Sequence, residues 1–468
     1  MSFPSYPAYK DSGVEWLGEV PQNWSVHSLK RTVYGCVNGL WGDEPDGEND
    51  IAVIRVADFE RSFSTVGLDK LTYRSITHKE RQSRLIKSGD LLIEKSGGGE
   101  KTLVGCVVLF THEFDAITSN FVARMRPLSE FDSQFLCYAF GNLYHGRVNY
   151  PSVKQVTGIQ NLDAESYLQE RFCFPSRIEQ SQIARFLDHE TARIDALIEE
   201  QQRLIKLLKE KRQAVISHAV TKGLVPTVPM KDSGVEWLGE LPAHWELTAV
   251  KYVVQDMSQG WSPQCDNYPA EDGEWGVLKV GCVNGGMFNP AENKRLPDEL
   301  EPDAGLAIKQ GDLLISRANT RELVGSAAVA VSDYPWLMLC DKLYRLRLNA
   351  ERVAPEFLAL YLGSSAPRSQ IELAASGASD SMQNISQSVV MDMSLTLPPL
   401  SEQKIILQCL GDTLKISDEL VAEVTNQRCL LQERRSALIS AAVTGKIDVR
   451  GWQPPASAPT PELVQEAI

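Results

Sequence analysis

Lys10–Trp24 reads KDSGVEWLGEVPQNW and Lys231–Trp245 reads KDSGVEWLGELPAHW, identical at 12 of 15 positions. A second echo, Arg212–Gly223 (RQAVISHAVTKG), returns as Arg435–Lys446 (RSALISAAVTGK) at almost the same offset. Two matches at nearly one offset mean that a unit of about 220 residues occurs twice, and self-similarity of this kind decides architecture before any local signal does. Duplicated units of this sort are arranged about a pseudo-two-fold axis and present two related surfaces.

Working outward, each half has a globular part followed by a long helix. Ser176 to about Val220 contains neither Pro nor Gly and is rich in Glu, Gln, Lys, Arg, Leu and Ile. Leu187, Ile194, Gln201, Leu208 and Val215 recur at heptad spacing, and Leu197 and Leu204 follow two of them by three; this predicts an a/d coiled-coil seam. Leu410, Val424, Leu431 and Leu438 continue the register in the second half, with Ser417 weakening it. Ser176 and Glu179 have capping-box spacing, and Gly223 is placed to stop the helix. Some 44 residues make about 65 Å of helix at ~1.5 Å per residue. The seam must be buried, and the expected partner is the helix's own copy in an antiparallel coiled coil with one globular domain at each end; the alternative is that each helix packs on its own domain.

The expected fold is α+β: two similar globular domains separated by two long helices. The boundaries are 1–175, helix 176–223, 224–398, helix 399–446 and a flexible tail 447–468. Ile51–Val56, Val277–Val280, Asp90–Ile93 and Asp312–Ile315 read as strands, the last two inside a shared GDLLI; Ser133–Phe140 and Pro355–Leu362 read as short helices. Between these frames the halves diverge, which is how one scaffold reads two different things.

Nine scattered cysteines with no CxxC pair argue against a disulfide framework or a zinc site and for a reducing cytoplasm. No signal peptide and no bilayer-length apolar run are evident. The glycines of Ser96–Leu103 suggest a phosphate loop, but Glu100 precedes Lys101 and a strand, not a helix, follows. No metalloprotease, serine-hydrolase or EF-hand pattern occurs, and the histidines stand singly, so nothing marks an enzyme. GCVNG at Gly35 and Gly281 is out of register with the duplication and reads as coincidence. Trp16, Trp24, Trp237 and Trp245 repeat with their frame and are expected in the core. The net charge of −14 opposes nucleic-acid binding unless acidic stretches such as Asp43–Asp50 face elsewhere.

The order domain–helix–domain–helix, Leu397–Leu407 (LPPLSEQKIIL), the Asp11–Trp24 phrase, GDLLI, and Gln160-Asn161-Leu162 with Gln383-Asn384-Ile385 together resemble the specificity subunit of Type I restriction–modification systems, across essentially the whole chain. The first half departs where Pro175-Ser176-Arg177 stands in place of PPL. The resemblance implies two target recognition domains, each reading one half of a bipartite double-stranded DNA sequence. The paired helices would set the spacer and dock two modification (methyltransferase) subunits. It implies no catalysis and no bound cofactor or metal in this chain. S-adenosylmethionine would sit in the modification subunits, and ATP and Mg in restriction subunits that can join them. Half-sites about one DNA turn apart, ~34–36 Å, would suit two heads on a rod.

Base reading needs Arg, Lys, Asn or Gln on loops that enter the major groove. The divergent loops offer Lys95, Lys101 and Thr102 in the first half and Arg317, Asn319, Thr320 and Arg321 in the second. A second stretch offers Ser152, Lys154 and Gln155, with counterparts Ser379 and Ser381, as groups that hold phosphates. Arg124 and Arg345 occupy equivalent positions, as DNA-backbone contacts or internal pairs. Arg185, Arg193, Arg203 and Lys206 are candidate partner contacts on the helix surface. Two rival readings are a stand-alone bivalent DNA-binding regulator and a coiled-coil scaffold that never touches DNA.

Overall fold

The computed structural model describes residues 3–99, 102–156, 158–379 and 382–455, without the side chains of 155, 156, 378 and 379. The chain divides into two units, Met1–Glu200 with Gln427–Ile468, and Gln201–Asn426. Each contains one globular part, the opening half of one long helix and the closing half of the other. The long helices, Arg177–Lys222 and Leu400–Val443, are therefore cut midway by the division.

Within each unit the two helix halves run antiparallel. In the first, Asp195 pairs with Arg435 Nε at 2.8 Å, while Ile183, Ala184 and Leu187 share a core with Ala442 and Val443. In the second, Arg212 Nε approaches Asp418 at 3.3 Å, and Ile216, Ala219 and Val220 share a core with Ile406 and Leu410. Arg212 and Asp195 stand one repeat before Arg435 and Asp418, so these are one ion pair made twice.

The seam differs from the expectation by one position. Leu187 and Ile194 are buried, and Gln201, Leu208 and Val215 half-buried, as the spacing requires. Their partners, however, follow at the i+4 position (Thr191, Ile198, Ile205, Arg212, Ala219), which makes the first set d positions and the second a. Leu197 and Leu204 are instead 49% and 41% exposed. The capping box is half made: Glu179 N–H donates to Ser176 Oγ at 3.4 Å, but the Glu179 carboxylate turns elsewhere. Gly223 and Gly445 end the helices at φ +80° and +72°.

The duplicated phrase and the duplicated helix ending explain each other. Tyr9–Asp11 pairs with Glu19–Pro21, and Met230–Asp232 with Glu240–Pro242, as twin hairpins. Each hairpin clasps a helix end: Lys446 Nζ donates to Glu19 O at 2.6 Å, and Lys222 Nζ to Glu240 O. A Cβ on Gly445 would stand 2.3 Å from Pro21 Cδ, so only glycine fits. In the second unit hairpin and helix end are consecutive in the chain. In the first they come from opposite termini, and Asp448 N–H donates to Pro4 O at 2.7 Å. Residues 447–452 accordingly are not a flexible tail. Val449 is buried, Trp452 packs on Phe186 at 5.3 Å, and Gln182 Nε2 donates to the carbonyls of Val449 and Trp452. The rest of the tail from 456 lies outside the described residues.

Each globular part is built on one antiparallel frame. Its strand order is Val33–Asn38, Val122–Pro127, Leu91–Glu94, Val107–Leu109 in the first, and Val254–Gln259, Leu343–Leu348, Leu313–Ser316, Ala327–Val329 in the second. Helices Ser133–His145 and Pro355–Leu362 cover the last strand of each series. The buried Gln180 and Gln403 fasten helix to domain: each accepts from the N-cap amide of that short helix (Asp132 N, Ala354 N) and donates to the carbonyl of Pro175 or Pro398, all at 2.9 Å. The strand expected over Val277–Val280 ends at Leu278, and a 3-10 segment, Val280–Gly286, follows.

Trp24 and Trp245 are buried, whereas Trp237 is only half-buried and Trp16 is 41% exposed, stacked on Phe172. No helix among the described residues is long and apolar enough to cross a membrane.

Candidate nucleic-acid interface

The two stretches singled out in each half fold into one small sheet. Ser96–Gly97 pairs with Ile159–Leu162, which pairs with Val153–Val156; in the second unit Ala318–Asn319, Met382–Asn384 and Ser376–Ser379 repeat the arrangement. In the first unit a buried glutamine secures it: Gln160 donates to Gly99 O at 2.9 Å and accepts from Val104 N at 3.0 Å. Gly99 and Thr102 form an isolated antiparallel bridge, and the next described element is the strand Val107–Leu109 rather than a helix, which opposes the phosphate-loop reading.

On this platform Lys95 reaches Asn38 Oδ1 at 2.8 Å, Thr102 is exposed, and Lys154 pairs with Asp163 at 2.8 Å, holding that carboxyl below the usual range. Arg317 is half-buried with Nη1 3.3 Å from Asp341 O, and Asn319 donates to Asn284 Oδ1 at 3.3 Å. Thr320 and Arg321 are exposed at the turn. Lys101 and Ser381, and the side chains of Gln155 and Ser379, lie outside the described residues.

Three expectations are corrected. Ser152 is 3% exposed and bonded to Ser166 Oγ at 3.2 Å, so it cannot hold a phosphate. Arg345 is 4% exposed and spends its donors on Ser258 Oγ, Ala307 O and Gly305 O. Arg124 donates to Leu85 O at 2.6 Å, the equivalent carbonyl. Burial lowers the pKa of both guanidiniums, and both fasten the frame from inside it. Beside them Arg126–Asp90 (2.7 Å) and Arg347–Asp312 (3.1 Å) form another duplicated pair, which explains the aspartate of GDLLI.

The structure adds residues the sequence did not mark. Asn38 with Phe121, and Gln259 with Trp261 and Lys342, stand exposed at the mouths of the two sheets. Their signal was positional: Asn38 and Gln259 are both amides one repeat apart but differ in identity, and Phe121 and Lys342 differ in kind.

On the first long helix, Arg185 bonds Gln182 and Arg193 pairs with Glu190 in the first unit, and Lys206 approaches Glu210 at 3.9 Å in the second; these three and Arg203 are exposed. Exposed leucines stand out more. Leu197 and Leu207 in the first helix correspond, one repeat on, to Leu420 and Leu430 in the second, and all four are 48–55% exposed.

Solved structures share this architecture. A chain from a Type I restriction–modification system, in a study of complex assembly and conformational transition, superposes with a TM-score of 0.67 at 16% identity, covering 91% of this chain and 98% of that one. The HsdS subunit from Thermoanaerobacter tengcongensis gives 0.50 at 16% identity over 92% and 98%. In sequence the chain is similar to Type I restriction enzyme specificity subunits over most of its length. The putative MjaX specificity subunit of Methanocaldococcus jannaschii is 24% identical over 93% of this chain and 96% of its own length. The EcoEI specificity subunit of Escherichia coli is 27% identical over 241 residues, 51% of this chain and 40% of that relative. No protein-family model matches.

Proposed function

We propose that this chain is the DNA-recognition subunit of a Type I restriction–modification complex, each unit reading one half of a bipartite target. The observation that carries the reading is that both units build one frame, fastened by the same ion pairs, hairpins and glutamines, yet carry different polar groups on the same small sheet. A scaffold that never met DNA would give no reason for that pattern. The negative total charge fits a subunit that binds DNA together with partners better than a free-standing regulator, because phosphate neutralisation dominates unaided binding. The chain itself supplies no catalytic group. Methyl transfer, with S-adenosylmethionine, belongs to two modification subunits, and ATP-dependent cleavage to restriction subunits when these join.

The exposed leucines are the docks for the modification subunits. Antiparallel register places Leu197 and Leu430 within a turn of one another in the first unit, and Leu207 and Leu420 likewise in the second. Duplicate sites for one kind of partner follow, and the neighbouring cations, Arg193 and Lys206, rim them. In cells lacking other restriction–modification systems, co-expression with the modification subunit should methylate adenines within one discontinuous sequence, and neither protein alone should do so. Leu197→Asp with Leu430→Asp should halve the number of modification subunits held, read as complex mass. Continuous or sequence-independent methylation would refute the reading.

A further inference from the structure

We propose that Asn38 with Lys95, and Gln259 with Arg317, are equivalent base-reading couples, one at the mouth of each sheet, each presenting an amide beside a cation to the major-groove edges of two adjacent purines. The inference rests on the DNA-recognition reading above and names the residues that would give each half-site part of its sequence.

Placement is the first argument. Lys95 and Arg317 each follow the GDLLI strand by one step and are pinned by backbone on both sides. Lys95 N–H donates to Phe121 O at 2.8 Å and its carbonyl accepts from Leu162 N at 2.8 Å; Arg317 does the same with Lys342 O at 2.8 Å and Ile385 N at 3.0 Å. Asn38 and Gln259 are the last residues of the edge strands Val33–Asn38 and Val254–Gln259, opposite Ala123 and Tyr344. A base-reading group must be held to within a fraction of an ångström, and strand ends hold better than free loops.

Close backbone approach fixes the amides further. A Cβ on Gly39 would stand 1.9 Å from Thr118 O, and one on Gly260 1.9 Å from Leu339 O. The next residues, Leu40 and Trp261, donate to those same two carbonyls at 2.9 and 3.1 Å. The chain just past each amide is thus clamped in the same way twice, although the surrounding sequences share almost nothing.

Chemistry is the second argument. Lys95 Nζ lies 2.8 Å from Asn38 Oδ1, and Gln259 Nε2 and Arg317 Nη1 meet on one oxygen, Asp341 O, at 3.0 and 3.3 Å. Each couple is therefore contiguous, and both amides are exposed. A cation fits the O6 and N7 acceptors of guanine, and an amide fits the donor–acceptor edge of adenine. The residue types, amide then cation, are kept between units, while the flanking Phe121 and Lys342 are not.

The test uses the full chain in complex with its modification subunits, reading the methylated sequence genome-wide and the affinity for the cognate duplex. Asn38→Ala and Lys95→Ala should each relax one base position in one half-site, lowering discrimination there about 5- to 150-fold, with the other half-site unchanged. Gln259→Ala and Arg317→Ala should do so in the other half. Asn38→Gln, which keeps the amide, should retain more discrimination than alanine. An unchanged sequence at wild-type affinity would overturn the proposal, as would a uniform loss of affinity with no base relaxed, the mark of a phosphate contact. A wild-type complex with no sequence preference would instead defeat the DNA-recognition reading itself.

Discussion

A fragment ending after the first long helix, residues 1–229, should fold as a symmetric dimer and not as a monomer. Alone, it lacks everything the end of the second helix and the chain terminus give the first core: Ala442, Val443 and Val449 are buried there, and Leu438, Ile439, Ile447 and Trp452 pack against it. Burying a large apolar side chain is worth about 1.5–3 kcal/mol. The loss is therefore on the order of 5–10 kcal/mol, comparable with the whole stability of a typical domain. The fragment carries the replacement itself. Val215, Ile216, Ala219 and Val220 are the repeat equivalents of Leu438, Ile439, Ala442 and Val443, and Arg212 can meet Asp195 of a second copy as Arg435 does here. Sedimentation should give twice the fragment mass, dissociating and unfolding together. A folded monomer that melts like the intact chain would contradict the exchange of helix ends.

Trp24→Ala should be among the most damaging single substitutions in the first unit. The indole is fully buried between the hairpin and the helix start, 5.7 Å from the Tyr6 ring. Its N–H donates to Glu179 Oε1 at 3.1 Å, the same oxygen that accepts from Tyr6 O–H at 2.8 Å. Removing so large a buried side chain costs about 3–5 kcal/mol, and a carboxylate that is 6% exposed loses a donor. At about 2–4 °C per kcal/mol for a unit of this size, the first unit's melting transition should fall by roughly 6–20 °C. Trp245→Ala should cost less, because the Trp245 N–H has no partner among the described residues and Glu402 is held by His244 at 2.8 Å instead. Equal losses at the two sites, by calorimetry on the full chain, would show that the Glu179 bond contributes nothing.

Much of this fold was legible because duplication is a signal that needs no propensity scale. The two most faithful echoes turned out to touch each other, hairpin against helix end, and that contact is why both are kept. The helix seam was legible in period but not in phase. Leu197-Ile198, Leu204-Ile205 and Leu207-Leu208 are adjacent apolar pairs, so two seams one position apart fit the sequence equally well. Only packing chooses between them. The flexible tail was misread because its partners, Phe186 and Gln182, lie at the start of the first long helix, more than half the chain away in sequence. GCVNG shows the limit of local reading. At Gly35 it lies mostly within a strand and at Gly281 within a 3-10 segment, so surroundings decide its conformation.

The site was legible in outline. Divergent loops pointed to the small sheets, and Lys95, Arg317 and Asn319 stand on or beside them. Arg124 and Arg345 misled because a cation on a strand reads the same whether it faces solvent or internal acceptors. Asn38 and Gln259 were missed because the repeat preserves their place and chemistry but not their identity.

The most direct test of the account maps the DNA sequence methylated by the complex when Arg317, Asn319 and Arg321 are all replaced by alanine. If each unit reads its own half-target, one half of the methylated sequence degenerates while the other half and the spacing between them stay as in the wild type. If both halves change together, or neither changes although the complex assembles, the two small sheets are not separate reading heads.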